Sequence, residues 1–568
     1  MSLLLAAPIL IPLTAAVLCV LAWRHRTLQR GISIAGAAGL LASAVALFQQ
    51  VSASGPVASQ MGNWPAPFGI TLVADTLACI MLLINGFLAV CIVLFSLGGI
   101  GQRREAGGYH ALVHGMLAAV SGAFVTGDIF NLYVWFEVML MASFVLMTLG
   151  GQRGQLEGAT KYVTLSLISS MLFLSGVGVL YAVTGTLNMA DLAVKFAAVE
   201  NSALAVSLGL LFFVSFGIKA AVFPMFFWLP ASYQTPPPVI AALFAGLLSK
   251  VGIYAIIRTF TLIFSHEPQM VYTIMLAVSG LTMVIGVFGA AVQTEIRRIL
   301  AFHSVSQIGY MLMGLAVTGA AVADGLPGGS VAAGASASAS TSAVNAAIPE
   351  FAVMALAGTV LFLVHHAIVK TNLFLVGGIV LKLRGTTVLA RLGDLYLTRP
   401  WLAVLFMVTA MSLAGVPVAT GFWAKLVLVR AGLAGGEWII VAAALGTGVL
   451  TLYSMTKIWS EAFWKVTPDA ADLAAAGQHP TDEAIDAADI GPRGVPIMMT
   501  VVAVMAVATV ALGVLAGPCY RVAERAAREL LEPQAYIRAV LGPTAGRPAS
   551  ASEPAPAAAS AGGVPSQR

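Results

Sequence analysis

The chain has 568 residues, of which 59% are hydrophobic and only 9% charged, with a mean hydropathy of +0.94, whereas an average soluble domain carries roughly 25% charged residues. That balance excludes a soluble globular protein and identifies an all-α polytopic membrane protein. The net charge of +5 and pI near 9.0 reflect loop residues that orient helices, so no nucleic-acid partner is implied.

A bilayer core about 30 Å thick requires about 20 apolar residues per helix. Windows of that size lie at 2–23, 31–50, 71–100, 109–127, 129–150, 161–184, 203–229, 237–260, 271–293, 298–319, 351–381, 401–430, 437–463 and 496–517, about 14 in all. They are apolar on all sides, as lipid-buried helices are, and they lack the alternation of a barrel. The first window has no charged region before it and no small-residue cleavage site after it, so it reads as a span and not as a signal peptide.

The windows divide the chain into three N-terminal helices (1–100), a five-helix unit at 109–260 and a second at 271–463. A cytoplasmic linker (464–495), a last span (496–517) and a surface helix with a disordered tail (518–568) complete it. Within the second unit, 321–349 is rich in Gly, Ala and Ser and reads as a flexible outer loop. The stretch RVAERAARELLEPQAYIRAVLG reads as an amphipathic surface helix. Cys19, Cys79, Cys91 and Cys519 lack CxxC spacing and read as small buried hydrophobes.

One set of alternate loops holds Arg24, Arg26, Arg30, Arg103, Arg104, Arg153, Lys161, Arg297, Arg298, Lys382, Arg384, Arg391, Arg399, Lys465 and Arg493. The other holds little more than Lys195 and Arg430. Basic loops face the cytoplasm, which places both termini outside.

Glu137, Lys219, Lys250, His365, His366, Lys370 and Lys425 lie well inside spans, with Arg258, Lys457 and Glu461 nearer helix ends. A charged side chain at mid-bilayer costs about 2.5–3.5 kcal/mol on insertion scales, so a set of them in five helices implies a polar path through the bundle. Adjacent helical residues point about 100° apart. His366, at i, i+4 from Lys370, therefore faces the path, and His365 is read as a packed core histidine. Arg258 is expected to snorkel, and Lys457 with Glu461 to form a surface pair.

Pro224 breaks the seventh span just past Lys219, and Pro417 breaks the twelfth before Lys425. Broken helices at membrane depth occur where they border protein or a watery cavity. They recur in transporters built from inverted repeats, here spans 4–8 and 9–13. A buried amine gives up its proton more readily than one in water, and a nearby carboxylate restores its hold. A carboxylate that moves is thus a switch.

The segments FFWLPASYQTPPPVIAALFAGLLSKVGIYAIIR (226–258), TEIRRILAFHSVSQIGYML (294–312) and HHAIVKTNLFLVGG (365–378) resemble the antiporter-like subunits of respiratory complex I, membrane-bound hydrogenases and Mrp-type multisubunit cation/proton antiporters. WLPASYQTPPP, with Phe226 and Tyr233 at histidine-type positions, is most similar to the D-type subunits of the Mrp group. The resemblance implies 14 helices, two inverted five-helix repeats and broken helices 7 and 12. It also implies a relay of Glu137, Lys219, Lys250, His366, Lys370 and Lys425. The implied activity is proton translocation within a Na⁺ (or K⁺)/H⁺ antiporter driven by the proton-motive force, with roles in pH and cation homeostasis. The implied setting is a bacterial inner membrane, with other membrane subunits as partners and no cofactor or metal. The alternative is a proton-pumping membrane subunit of an NADH-quinone oxidoreductase or a membrane-bound hydrogenase. The chain carries no Walker loop, dinucleotide fingerprint or cysteine cluster, so in that reading partners would hold the cofactors. A third reading is a scaffold that keeps its charges for helix assembly.

Overall fold

The structure, a computed structural model, describes residues 3–199, 201–265, 269–325, 348–468 and 494–542. Among these, 12 helices are long and apolar enough to cross a membrane, and shorter apolar helices at Tyr109–Val125 and Pro400–Ala414 occupy two further expected windows. Most of the outer loop (321–349) and of the linker (464–495), and the tail from 543, lie outside the described residues.

Helices α1 (Leu3–Leu21) and α2 (Arg26–Ser54) lead into an antiparallel hairpin of β1 (Val57–Gln60) and β2 (Thr71–Ala74), with Val57 opposite Ala74 and Gln60 opposite Thr71. The hairpin corrects the sequence expectation, which placed 71–74 inside the third span. Helix α3 (Thr76–Gly99) starts later because the Asp75 side chain accepts from Ala78 N and caps it. After it come α4 (Gln102–Ala106), α5 (Tyr109–Val125), α6 (Ile129–Thr148), α7 (Arg153–Thr184), α8 (Met189–Phe196), α9 (Ser202–Ala220), α10 (Trp228–Gln234) and α11 (Pro238–Leu262). The chain continues with α12 (Gln269–Val292), α13 (Ile296–Gly325), α14 (Glu350–Arg384), α15 (Leu395–Thr398), α16 (Pro400–Ala414), α17 (Thr420–Ala434) and α18 (Trp438–Ile458), which runs into a π-helical turn at Trp459–Trp464. The chain closes with α19 (Val495–Val514), α20 (Ala516–Leu531) and α21 (Gln534–Leu541).

Proline stands in the first turn of α11, α16 and α19, where its missing N–H costs no helical bond. Every residue of α11 is buried, and α13 and α14 are nearly so; these three form the centre. The periphery is apolar and open, with Ile439 89%, Leu21 78% and Val292 71% exposed. Such a surface suits lipid or neighbouring subunits. An isolated bridge joins Asp128, at the start of α6, to Asn188 after α7, and another joins Glu295, before α13, to Val388 after α14. Each bridge ties the start of one helix to the chain just after the next.

Two expectations about charges are corrected. Arg258 does not snorkel: it is 4% exposed and donates two hydrogen bonds to Asp75, at 2.6 and 2.8 Å, beneath the ring of Tyr536. A partner 183 residues away outweighs the route to the surface. Lys457 does not pair with Glu461. Its amine donates to the Ala291 and Gln293 carbonyls at the end of α12, at 3.0 and 2.8 Å, where helical acceptors are unsatisfied. Glu461 pairs with Lys465 at 2.8 Å.

The C-terminal segment forms two helices that are docked, not free. Ala523, Ala526, Ala527 and Leu530 of α20 are buried. The Glu529 carboxylate accepts from Thr76 N and Oγ1 at 3.0 and 2.8 Å, and Arg528 pairs with Glu350 at 3.0 Å. At the other end of the bundle, Glu105 on the α3–α5 connection accepts from Arg30 and His110. Burial raises the pKa of its carboxyl, but the hydrogen bonds from His110 and Arg30 outweigh that and bring it down to about 2.

Candidate functional site

Helix α9 ends at Ala220 because Ala221 turns to a left-handed φ of 62° and Pro224 cannot donate to a continuing helix. The break is tied down on both sides. Val222 N reaches back to Gly217 O (2.9 Å), Trp228 Nε1 donates to Ile218 O (2.8 Å), and Phe223 N donates to Thr282 Oγ1 (3.0 Å). Lys219 occupies the last turn of α9 and is 6% exposed. Its amine donates to Ser170 Oγ at 3.1 Å, and the Ser170 hydroxyl donates to the Glu137 carboxylate. The expected carboxylate–amine pair is therefore bridged by a serine of α7. Ser170 escaped sequence reasoning because a lone serine in an apolar helix carries no signal of its own.

Glu137 is the member of the set that is not buried. It stands part-exposed on α6 beside Val134, Val138 and Met141, which are also exposed. The carboxylate end of the set thus lies at an edge of this chain.

The next helix approaches through small residues. A β-carbon at Gly252 would stand 2.7 Å from Ala220 N, and one at Gly246 would stand 2.3 Å from Thr371 Oγ1. These contacts hold α11 tightly against both α9 and α14. Lys250, between them, is fully buried and donates to the Ala245 carbonyl of its own helix. On α14, His366 is fully buried and neither ring nitrogen has a protein partner, while Lys370 donates to Leu300 O of α13 at 2.8 Å. The charge of Lys250 reaches both His366 and Lys370.

His303 of α13 also belongs here. It is fully buried, its two nitrogens have no protein partner, and both Lys370 and Lys425 act on it electrostatically. Attention to lysines and acids passes over it, although it lies within TEIRRILAFHSVSQIGYML; its place inside a span was the available signal.

The second break follows the same logic. Helix α16 ends at Ala414, Gly415 and Val418 take positive φ (94° and 80°), Pro417 lies between them, and α17 begins at Thr420. Lys425 is 9% exposed; it folds back and donates to Leu413 O (2.9 Å) and Ala414 O (3.1 Å), carbonyls left without helical partners. Its amine also lies 5.1 Å from the Tyr310 ring centroid. His365 is more than a packed core residue, because its Nδ1 hydrogen-bonds Thr420 Oγ1 at 2.8 Å.

The structure brings Lys250, His366, Lys370, His303 and Lys425 into one electrostatic cluster and links Glu137 to Lys219 through Ser170. Among the described residues no hydrogen bond joins Lys219 to Lys250; the Gly252 crossing is what places their helices together. Buried polar groups without protein partners are commonly satisfied by ordered water. The arrangement can therefore hold and pass protons laterally.

The family model described as NADH:quinone oxidoreductase/Mrp antiporter, TM, matches residues 126–326 and 339–451. The chain belongs to this family. It is 40% identical over 541 residues to the D-type subunit of the Na(+)/H(+) antiporter of Alkalihalophilus pseudofirmus, covering 95% of this chain and all (100%) of the relative. The corresponding D-type antiporter chain of Bacillus subtilis is 36% identical over 538 residues, covering 94% and 98%. The fold is similar to a chain in the structure of the Mrp complex from Dietzia sp. DQ12-45-1b, with a TM-score of 0.80 at 32% identity over 95% of this chain and 100% of that one. A chain of the archaeal membrane-bound sulfane sulfur reductase shares the fold alone, with a TM-score of 0.76 at 23% identity over 94% and 99%. The D-type relatives are those of the branch that WLPASYQTPPP suggested. All six proposed relay residues except Glu137 are buried, and the matched region contains every one of them.

Proposed function

We propose that this chain is the proton-translocating subunit of a multisubunit Na⁺ or K⁺/H⁺ antiporter, driven by the proton-motive force and serving pH and cation homeostasis. The observation that carries the reading is the set of buried amines and imidazoles on contiguous helices α9, α11, α14 and α17, with a carboxylate at one end and a break beside the first and last amine. Protons pass from Glu137 through Ser170 to Lys219, then by Lys250, His366 and Lys370 to Lys425, with His303 between the last two. Each transfer changes the charge felt by the next site, which is how occupancy at one end biases the other. The setting is a bacterial inner membrane with both termini outside, and other membrane subunits as partners.

Relatives named as D-type antiporter chains, covered over nearly their whole length, favour the antiporter over a redox-driven complex. The test uses everted vesicles carrying the complete complex. Glu137→Ala and Lys219→Ala should abolish cation-driven pH change while the complex still assembles. Normal exchange in both variants would reject the assigned roles, and loss of assembly with normal transport per complex would leave the scaffold reading.

A further inference from the structure

Helices α3 and α19 run antiparallel and meet at one end only. A β-carbon at Gly98 would stand 2.5 Å from Gly494 O, so the end of α3 and the start of α19 are in backbone contact there. Towards their other ends a crevice of about 390 Å³ separates them. Ile80 and Phe87 of α3 form one wall, Leu512 of α19 the other, and Leu361, Val364 and Ile368 of α14 the floor. Helix α20 crosses the end away from Gly98 and closes it with Val522. The mouth opens between Phe48 of α2, which is part-exposed, and Leu515, which is 53% exposed.

Apart from the Cys519 thiol, every side chain that lines the crevice is hydrocarbon. Such a space holds no water, and beside a bilayer the molecule at hand to fill it is an acyl chain. Its shape agrees, because the floor from Leu361 to Ile368 extends about 10 Å along α14. At 100° per residue, Leu361, Val364 and Ile368 share one face of α14 while His366 and Lys370 lie on the opposite face. The crevice therefore stands behind the helix that carries those two residues and takes no part in their cluster.

The charges on α20 say what the chain is attached to. Arg528 pairs with Glu350 and Glu524, and Arg525 pairs with Glu529, so both acids of the helix are taken up. Arg525 also donates to Val51 O and Ser52 O, which turns its flank of α20 towards the end of α2, one turn past Phe48 at the mouth. Arg521 lies one turn earlier on that flank. It is exposed and has no hydrogen bond or ion pair among the described residues. A guanidinium with free donors suits a phosphate. We propose that the crevice binds an anionic phospholipid of the bilayer, with one acyl chain in the slot behind α14 and the phosphate on Arg521. The site stands whether or not the relay reading does.

The experiment uses the complete complex in phosphatidylcholine vesicles that contain a trace of phosphatidylglycerol with a photoreactive diazirine on its acyl chain. After illumination, the labelled residues of this chain are mapped by mass spectrometry. Label should concentrate at 80–87 of α3 and 361–368 of α14, above the level at exposed apolar residues such as Val292 and Ile439. Label confined to such exposed residues, as expected if a helix of a neighbouring subunit fills the crevice, would overturn the site. The same probe built on phosphatidylcholine should label the crevice about fivefold less, the preference that one basic residue gives an anionic lipid. Equal labelling by the two probes would overturn the anionic class. Arg521→Gln, at an exposed position, should remove that fivefold difference and leave label at Val292 and Ile439 unchanged; a preserved difference would reject the phosphate contact. Val364→Trp should fill the slot and abolish crevice label, and persistent label there would count against the site. If that variant fails to assemble, Arg521→Gln and the two probes decide.

Discussion

Replacing Ser170 by alanine removes one oxygen and nothing else from the path. That oxygen accepts from Lys219 at 3.1 Å and donates to Glu137, so it carries two charge-assisted hydrogen bonds. The charges it joins lie two hydrogen-bond lengths apart, roughly 5–6 Å, where unit charges at an effective dielectric near 20 attract by about 3 kcal/mol. Without the hydroxyl the attraction persists, but the hydrogen-bonded bridge proposed to pass a proton does not. Hydrogen bonds to charged groups contribute about 1.5–3 kcal/mol each. If one such contribution is lost from the transfer step, the rate falls about ten- to hundredfold. The assay is cation-driven pH change in everted vesicles, normalised to the amount of assembled complex. Ser170→Cys, with a weaker donor and acceptor in nearly the same place, should lie between wild type and alanine. A Ser170→Ala complex that transports at the wild-type rate would show that Glu137 and Lys219 communicate without this bridge.

Two further predictions concern stability. Arg258→Leu leaves Asp75 as an unpaired buried charge and should cost about 3–5 kcal/mol, read as loss of complex on mild heating in detergent. Combining it with Asp75→Asn, which keeps an acceptor for Ala78 N, should recover most of that, and no recovery would refute the ion-pair explanation. The carboxyl of Glu105, only 1% exposed, titrates near 2 when folded, below the ordinary value of 4.5. Its stabilising effect is therefore complete above pH 4.5 and is lost as pH falls towards 2. With solvent screening of the part-exposed Arg30 allowed for, the effect amounts to about 2–3 kcal/mol. Glu105→Gln should flatten acid inactivation between pH 4.5 and 3, and an unchanged acid profile would refute the assignment.

Helices were legible because the bilayer imposes a length and an apolarity that any reader of the chain can measure. Mid-span lysines were legible for the same reason, since their cost makes them rare. Residues whose roles come from pairing were not. Arg258 looked free to snorkel until Asp75, far away in sequence, was placed beside it. His365 looked like filler until Thr420 of the broken helix met its Nδ1. Ser170 and His303 are too common in type to stand out, and the hairpin at 57–74 is too short to interrupt an apolar pattern.

Composition and motif order by themselves determined the solvent, the helical class, the broken segments and the residue types available for carrying protons, because each follows from local chemistry in an apolar medium. Only the tertiary structure decided which charges face one another, which hydroxyls stand between them and which of them lies at an edge. Those outcomes depend on helix crossings at Gly246, Gly252 and Gly421, and a crossing is a relation between distant segments that no local pattern encodes.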